Sequence, residues 1–334
     1  MKIRILSTES LGARGLCCVV ETRDRRILID PGIALGGIRR SLPPHPFQIA
    51  VGASLRERIV AEFPLATDIV FSHYHGDHVP LVEANPYQLS LGRVAPMLRG
   101  RAVWGPAADD PSGRMRGRRE ALREASGMDL DAAPGMTAGP MRFSAPVPHG
   151  RTTDRLGSVM MTRVEEDGDV FVHASDVQLL DRATVERIIE WKPRTVLASG
   201  PPLYRTGGDP GLSSRAWDNA LLLAGTAETF VLDHHLLRSP EGVRWLAVLA
   251  SRAEGRIVTA AEFMGRPMRF LEAWRSEIYR DLPVPDGWHE AYARGEANTA
   301  PFRRWRNWEA DEEDGPERPE TARAGKEGAG RGEA

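Results

Sequence analysis

The chain has 334 residues, 41% of them hydrophobic and 27% charged, with 44 Lys+Arg against 46 Asp+Glu. That balance excludes an intrinsically disordered chain, and no stretch approaches the roughly 20 apolar residues of a membrane span. The near-neutral total conceals an acidic end: residues 309–334 carry nine acids and four bases, which leaves a body of 40 Lys+Arg and 37 Asp+Glu. This is far short of the basic footprint of a nucleic-acid binder.

In chain order, Met1–Leu6 reads as a strand, because neither a long apolar run nor a cleavage site follows it; the expectation is a cytoplasmic protein. Strands at 16–22 and 26–29 flank the turn Arg23-Asp24-Arg25, and the second runs into Asp30-Pro31-Gly32. The neighbours Cys17 and Cys18 read as a small buried pair in the first of these strands. A Gly- and Pro-rich loop over 33–52 precedes a helix from Ser54 to Glu62, with Ser54 as its cap and Leu55, Ile59 and Val60 as its apolar stripe. Asp68–Phe71 is a short buried strand leading to His73. Residues 85–138 give only mixed turns and an Arg-rich, solvated helix near 116–126.

Strands return at 141–147, 158–164 and 169–173. Helices at 182–191, 215–225 and 240–251 then alternate with strands at 195–198, 229–232 and 256–259, and a helix over 267–280 follows. Trp274, Trp288, Trp305 and Trp308 suggest C-terminal packing against the body. The tail 309–334 has only Ala as an apolar residue type and reads as disordered.

The chemistry sits in the histidines. Of nine, three fall in Ser72-His73-Tyr74-His75-Gly76-Asp77-His78, directly after a predicted strand. Neutral imidazoles beside a carboxylate suit Zn, Fe or Mn better than Ca, whose preferred ligands are oxygens. Further candidates recur at predicted strand ends: His149, Asp176, and the adjacent His234 and His235. Strand ends on one edge of a sheet converge, so residues far apart in sequence can share one site. Adjacent residues on a strand point to opposite faces, so only one of His234 and His235 is expected to be a ligand. His173 reads as a packed residue, and His45 and His289 as surface residues.

His73-x-His75-x-Asp77-His78, together with Asp30, His149, Asp176 and a late His, resembles the metallo-β-lactamase superfamily of metallohydrolases over about residues 1–260. The segments Asp30–Gly36, Ser72–Leu81, Ser199–Tyr204, Asp233–Arg238 and Ala260–Gly265 look like a mostly archaeal branch of it whose substrate is unknown. The resemblance implies an α/β fold, a four-layer αββα sandwich with its site along one edge. It also implies two divalent metal ions, Zn foremost with Fe or Mn as alternatives. His73, His75 and His149 would hold the first, Asp77, His78 and His234 (or His235) the second, and Asp176 would bridge them. Asp30 would orient the His-rich loop by hydrogen bonds. His234-x-x-x-Arg238 is similar to the His-Phe-Ser-x-Arg stretch of tRNA 3′-processing relatives, with Leu236 in place of the Ser.

Two cations roughly 3.5–4 Å apart bring the pKa of a shared water near 7 and supply a metal-bound hydroxide, with Asp77 placed to take its proton. The reading is a dinuclear metal-dependent hydrolase acting on an ester, lactone, thioester or small phosphodiester, with a small-molecule substrate and no membrane. The alternatives are a metal-dependent nuclease or RNA-processing phosphodiesterase, and a di-iron redox or oxygen-handling protein. Tyr74, His235, Arg151, Arg205 and Arg238 are candidates for touching substrate. The expected organisation is a metallohydrolase domain over 1–265, a helical extension packed on it over 266–308, and the acidic tail over 309–334.

Overall fold

A computed structural model describes residues 1–39, 41–107, 113–127, 130, 133–151, 156–205 and 210–310. The tail expected to be disordered lies outside the described residues from 311 onward. Among the described residues no helix is long and apolar enough to cross a membrane.

The N-terminal half builds a five-stranded sheet. β1 (Lys2–Ser7), β2 (Cys17–Glu21) and β3 (Arg26–Ile29) form an antiparallel meander. β3 then pairs in parallel with β4 (Asp68–Val70), and β4 with β5 (Ala102–Trp104). Parallel pairing requires crossovers. These contain α1 (Pro46–Glu62) between β3 and β4 and α2 (Leu91–Leu98) between β4 and β5; α3 (Arg114–Ser126) follows and packs on α2.

A second sheet has seven strands in the order β14-β13-β12-β11-β10-β7-β6. Its antiparallel side is β6 (Thr137–Ala138), β7 (Met141–Phe143) and β10 (Thr162–Glu166), while β8 (Val147–Pro148) and β9 (Ser158–Val159) pair separately. Its parallel side is β11 (Asp169–Ala174), β12 (Thr195–Ala198), β13 (Thr229–Leu232) and β14 (Arg256–Val258). The connecting helices are α4 (Arg182–Glu190), α5 (Pro210–Ala224) and α6 (Pro240–Arg252).

Side-chain alternation separates the layers. Val172 and Ala174, Val196 and Ala198, and Phe230 and Leu232 pack with Ile188, Leu223 and Leu249 of the outer helices. Their neighbours Phe171, Leu197 and Val231 join the core shared with the first sheet. Leu55 and Ile59 of α1 and Val94 and Leu98 of α2 extend that core from the other side. The result is the expected four-layer αββα sandwich. Cys17 and Cys18 are buried in β2, and burial pushes both thiols up.

Beyond the strands expected over 141–147 and 158–164, each of which divides in two, three expectations need correction. α1 begins at Pro46 rather than Ser54, and His45 is its buried N-cap instead of a surface residue. The ring Nδ1 accepts from the Phe47 N–H at 3.0 Å, and Gln48 Oε1 accepts from the His45 N–H at 3.0 Å. The proline that reads as loop is well placed at the first helical position, where its missing N–H costs nothing. Second, 267–280 is not one helix. The Arg269 N–H is held by the Ser10 carbonyl at 2.7 Å instead of a helical partner, and α8 spans only Arg275–Asp281 after the short α7 (Ala260–Phe263). Third, His289 is half-buried, 2.9 Å from the Tyr279 hydroxyl. The last elements include α9 (Trp288–Ala293) and the pair β15 (Arg304–Trp305) and β16 (Trp308–Glu309). Trp288 and Trp305 are buried, and Trp274 and Trp308 pack against the same core.

Candidate metal centre

Both sheets contain a parallel half, and the site lies where the carboxyl ends of those strands open into loops, the usual crevice of such sheets. Asp30 follows β3 and His73 follows β4, while Asp176 follows β11 and His234 follows β13. Asp30, Asp176 and His234 all adopt positive φ, at 49°, 44° and 56°. Left-handed backbone is uncommon outside glycine and tends to cluster at functional sites.

Asp30 organises the His-rich loop. Its Oδ1 accepts from the Ser72 N–H at 2.7 Å, and its Oδ2 accepts from the Ser72 hydroxyl at 2.7 Å and faces His78 Nδ1 at 2.9 Å. Ser72 Oγ, having donated to Asp30, accepts from His73 Nδ1 at 2.8 Å. Both rings are thereby anchored through Nδ1–H, which leaves Nε2 as the nitrogen turned to a metal. Gly32 lets the loop approach, since a Cβ there would stand 2.2 Å from the His78 carbonyl carbon.

Asp176 is the hub. Its Oδ2 lies 2.9 Å from His149 Nε2, 3.3 Å from His78 Nε2, and 3.4 Å from both His73 Nε2 and His235 Nε2. Its Oδ1 is 3.3 Å from His234 Nε2, and His75 Nδ1 is 4.0 Å from Oδ2. Ligand atoms of His73, His75, His149 and Asp176 lie within 4.8 Å of one another, as do those of Asp77, His78 and His234. Asp176 Oδ1 and His149 Nδ1 are buried and lack a hydrogen bond among the described residues. Asp77 and His75 have side chains 20% and 29% exposed, and they open this otherwise buried cluster to solvent.

The electrostatics suit a cation. Burial raises Asp77 and Asp176, but His78 and His234 hold both well below the usual carboxylate range. Burial takes His73 and His235 down to about 3 and also lowers His149 and His234. His78 goes the other way: against burial, Asp176, Asp30 and Asp77 raise it well above its ordinary value. Three ionised carboxylates, Asp30, Asp77 and Asp176, against the single raised histidine leave negative charge for a cation to balance. The residues present therefore fit the implied metal.

The structure brings Asp30, His73, His75, Asp77, His78, His149, Asp176, His234, His235 and Arg238 together. Tyr74 is different: its buried hydroxyl donates to the Pro106 carbonyl at 2.6 Å. Arg151 and Arg205 are exposed. His173 packs as expected, with Nε2 donating to the Leu16 carbonyl at 2.8 Å. His234 and His235 both enter the cluster because they lie in a turn past β13, where the positive φ of His234 breaks strand alternation. Asp233 shapes that turn, accepting from the backbone N–H groups of His234, Ser10 and Ala260.

Sequence reading missed Ser72, Gln178 and Glu9. Ser72 had a signal, its place immediately before the first ligand candidate. Gln178, whose side-chain amide is 3.2 Å from His235 Nδ1, and Glu9, which accepts from Arg238 Nε at 2.8 Å, had none. Arg238 also reaches Asp77 Oδ2 at 3.2 Å and His234 Nε2 at 2.8 Å.

No protein-family profile matches the chain. Over 302 residues it is 48% identical to a UPF0282 protein of Methanosarcina mazei, covering 90% of this chain and 99% of that one. Over 304 residues it is 33% identical to a UPF0282 protein of Pyrococcus furiosus, covering 86% and 96%. Among solved structures it is similar to a metal-dependent hydrolase of the beta-lactamase superfamily, with a TM-score of 0.48 and 13% identity, covering 77% of this chain and 94% of that chain.

Proposed function

The chain belongs to the UPF0282 family, and from its buried His/Asp cluster we propose that it is a dinuclear metal-dependent hydrolase. The observation that carries this is the hub at Asp176, one buried carboxylate with ring nitrogens of six histidines within 4.0 Å. In this reading His73, His75 and His149 would hold one cation, Asp77, His78 and His234 would hold the other, and Asp176 would be within reach of both. His234 is preferred to His235 because its Nε2 lies 3.3 Å from His78 Nε2 and 3.6 Å from Asp77 Oδ2. Zn is the favoured ion, given ring nitrogens and carboxylates as donors.

When bound at these ligands, divalent cations would supply Lewis acidity and would make water acidic enough to act as a nucleophile at neutral pH. The chain's residues do the rest. Asp30 and Ser72 anchor the His73 and His78 rings. Asp77, ionised and open to solvent, receives the proton released by the nucleophile. Arg238, held by Glu9, keeps a fixed positive charge beside Asp77 on which a developing oxyanion can lean. The reaction class is cleavage of an ester, lactone, thioester or small phosphodiester.

Elemental analysis and a substrate screen test this together. Protein purified without added metal is expected to carry close to two transition-metal ions per chain, predominantly Zn. It is expected to hydrolyse one class among bis-p-nitrophenyl phosphate, lactones, thioesters and short RNA under Zn, Mn or Fe. Absence of metal after reconstitution, or full activity in Asp77→Ala, would overturn the proposal.

A further inference from the structure

Arg238 has a second side. Its Nη1 donates to the Tyr204 hydroxyl at 3.3 Å, and the residue lines a cavity of about 340 Å³ distinct from the His/Asp cluster. Arg39 and Arg275 line the same cavity, with Glu272 as the buried carboxylate among the lining groups. The other lining acid, Glu241, is exposed at the lip, 3.6 Å from Arg244.

The charges around this cavity do not cancel. Glu272 already receives Arg14 at 3.0 Å, Arg39 at 3.1 Å, Gln48 at 3.3 Å and a close contact from Arg275. Glu9 serves Arg238 at 2.8 Å and Arg14 at 3.7 Å. Four guanidinium groups thus share two buried carboxylates. Asp77, which also meets Arg238, belongs to the histidine cluster. Arg238 and Arg275 are buried while Arg39 is 26% exposed, so the surplus positive charge reaches solvent at Arg39, where an anion completes the balance.

The guanidinium of Arg39 is preorganised. It stacks on the Tyr204 ring, 4.4 Å from the centroid, and its bonds to the Arg238 carbonyl and Glu272 both leave from Nη1. Stacking fixes the plane of the fork that pairs with an oxyanion. The N-terminus of α6 contributes Ser239, Pro240 and Glu241 to the wall and adds the positive end of a 13-residue helix.

We infer that this cavity is an anion subsite: the substrate carries a carboxylate or phosphate, separate from the bond cleaved, that seats against Arg39 and Arg238. The scissile group then lies on the other side of Arg238, at Asp77. This deepens the hydrolase reading and rests on it for the word substrate, whereas the subsite itself is testable without turnover.

Calorimetric titration of the full chain with succinate and with inorganic phosphate, metal-free and Zn-reconstituted, tests it. At least one anion is expected to bind at one saturable site whether or not metal is present, and the anion that binds identifies the group. Arg39→Gln is expected to weaken that binding about tenfold, the loss of a charge-assisted pair, and Arg39→Lys to restore part of it. If Arg39→Gln does not fold, Arg39→Lys alone is expected to bind severalfold more weakly, because it keeps the charge but not the fork. Saturation by neither anion, binding only in the presence of metal, or unchanged affinity in the Arg39 variants would overturn the subsite.

A second measurement separates the two readings. The ratio of kcat/KM for p-nitrophenyl succinate over p-nitrophenyl acetate is expected to fall in Arg39→Gln. Anion binding without hydrolysis of any substrate class would sink the hydrolase and leave the subsite. Hydrolysis with anion binding indifferent to Arg39 would do the reverse.

Discussion

Gly32 and His78 meet backbone to backbone: a methyl group on Gly32 would stand 2.2 Å from the His78 carbonyl carbon and 2.3 Å from the Val79 nitrogen. Neither atom is the end of a flexible side chain, so the contact cannot be relieved by a rotamer change. Gly32→Ala is therefore expected to push the two loops apart at a cost of roughly 1–3 kcal/mol, the scale of overpacking. It is also expected to lower zinc affinity by displacing His78. Thermal melts and zinc titration check both; an alanine variant with wild-type stability and zinc affinity would contradict the contact.

Ser72 touches no cation in the proposed arrangement, yet it relays Asp30 to His73. Ser72→Ala removes the acceptor for His73 Nδ1–H and one donor to Asp30. The expected outcome is a loss of metal affinity of about 10–100-fold, as for partners that orient ligating histidines, with the fold preserved. Competition against a chromophoric chelator measures it. The partner change, Asp30→Asn, removes the charge that both histidines sense and is expected to cost at least as much.

Chelation provides another handle. Without cations, the buried Asp30 and Asp176 and the part-exposed Asp77 surround His78, the one histidine of the cluster that they raise. Metal removal is expected to lower the melting temperature, and zinc to restore it in a concentration-dependent way, since a ligand that binds only the folded state stabilises by mass action. Asp77→Ala is expected to reduce occupancy and abolish hydrolysis. A melting temperature indifferent to both chelator and zinc would count against a resident metal.

His45 supplies a pH dependence remote from the cluster. Burial pushes it from 6.5 down to about 4, despite the Leu282 carbonyl 2.8 Å from Nε2. The folded ring stays neutral while the unfolded ring takes a proton below about 6.5, so the unfolded state binds more protons between these values. Stability from this group is fully present above pH 6.5 and is lost as pH falls toward 4, by on the order of a few kcal/mol. Denaturant melts across that window should show the slope, and His45→Asn, which retains a capping side chain, should flatten it. An unchanged slope in the variant would place the effect elsewhere.

His45 also shows where the sequence was silent. Helix caps are read from Ser, Thr, Asp and Asn, so an imidazole ahead of Pro46 reads as loop and the first turns of α1 vanish with it. α2 and β5 were lost for a related reason: a proline inside α2 and a strand of three residues give no sustained period. The parallel half of the second sheet was legible because β11 to β14 are short apolar runs separated by helices with clear periodicity. The His/Asp cluster was legible because three of its histidines fall in one turn and the others follow recognisable strands. The cavity beside Arg238 was not, since Arg39, Tyr204, Glu272 and Arg275 come from segments distant in the chain and meet only through packing.

The left-handed residues of the site carry a consequence for how it can change. Asp30, Asp176 and His234 each occupy a conformation that Asp, Asn, His and Gly accept more readily than longer or β-branched side chains. A glutamate at 30 or 176 would keep the charge and still oppose the backbone. Residue identity at these three positions therefore answers to two independent demands, ligand chemistry and main-chain torsion. The set of sequences able to host another ion here is narrower than ligand preference alone would make it.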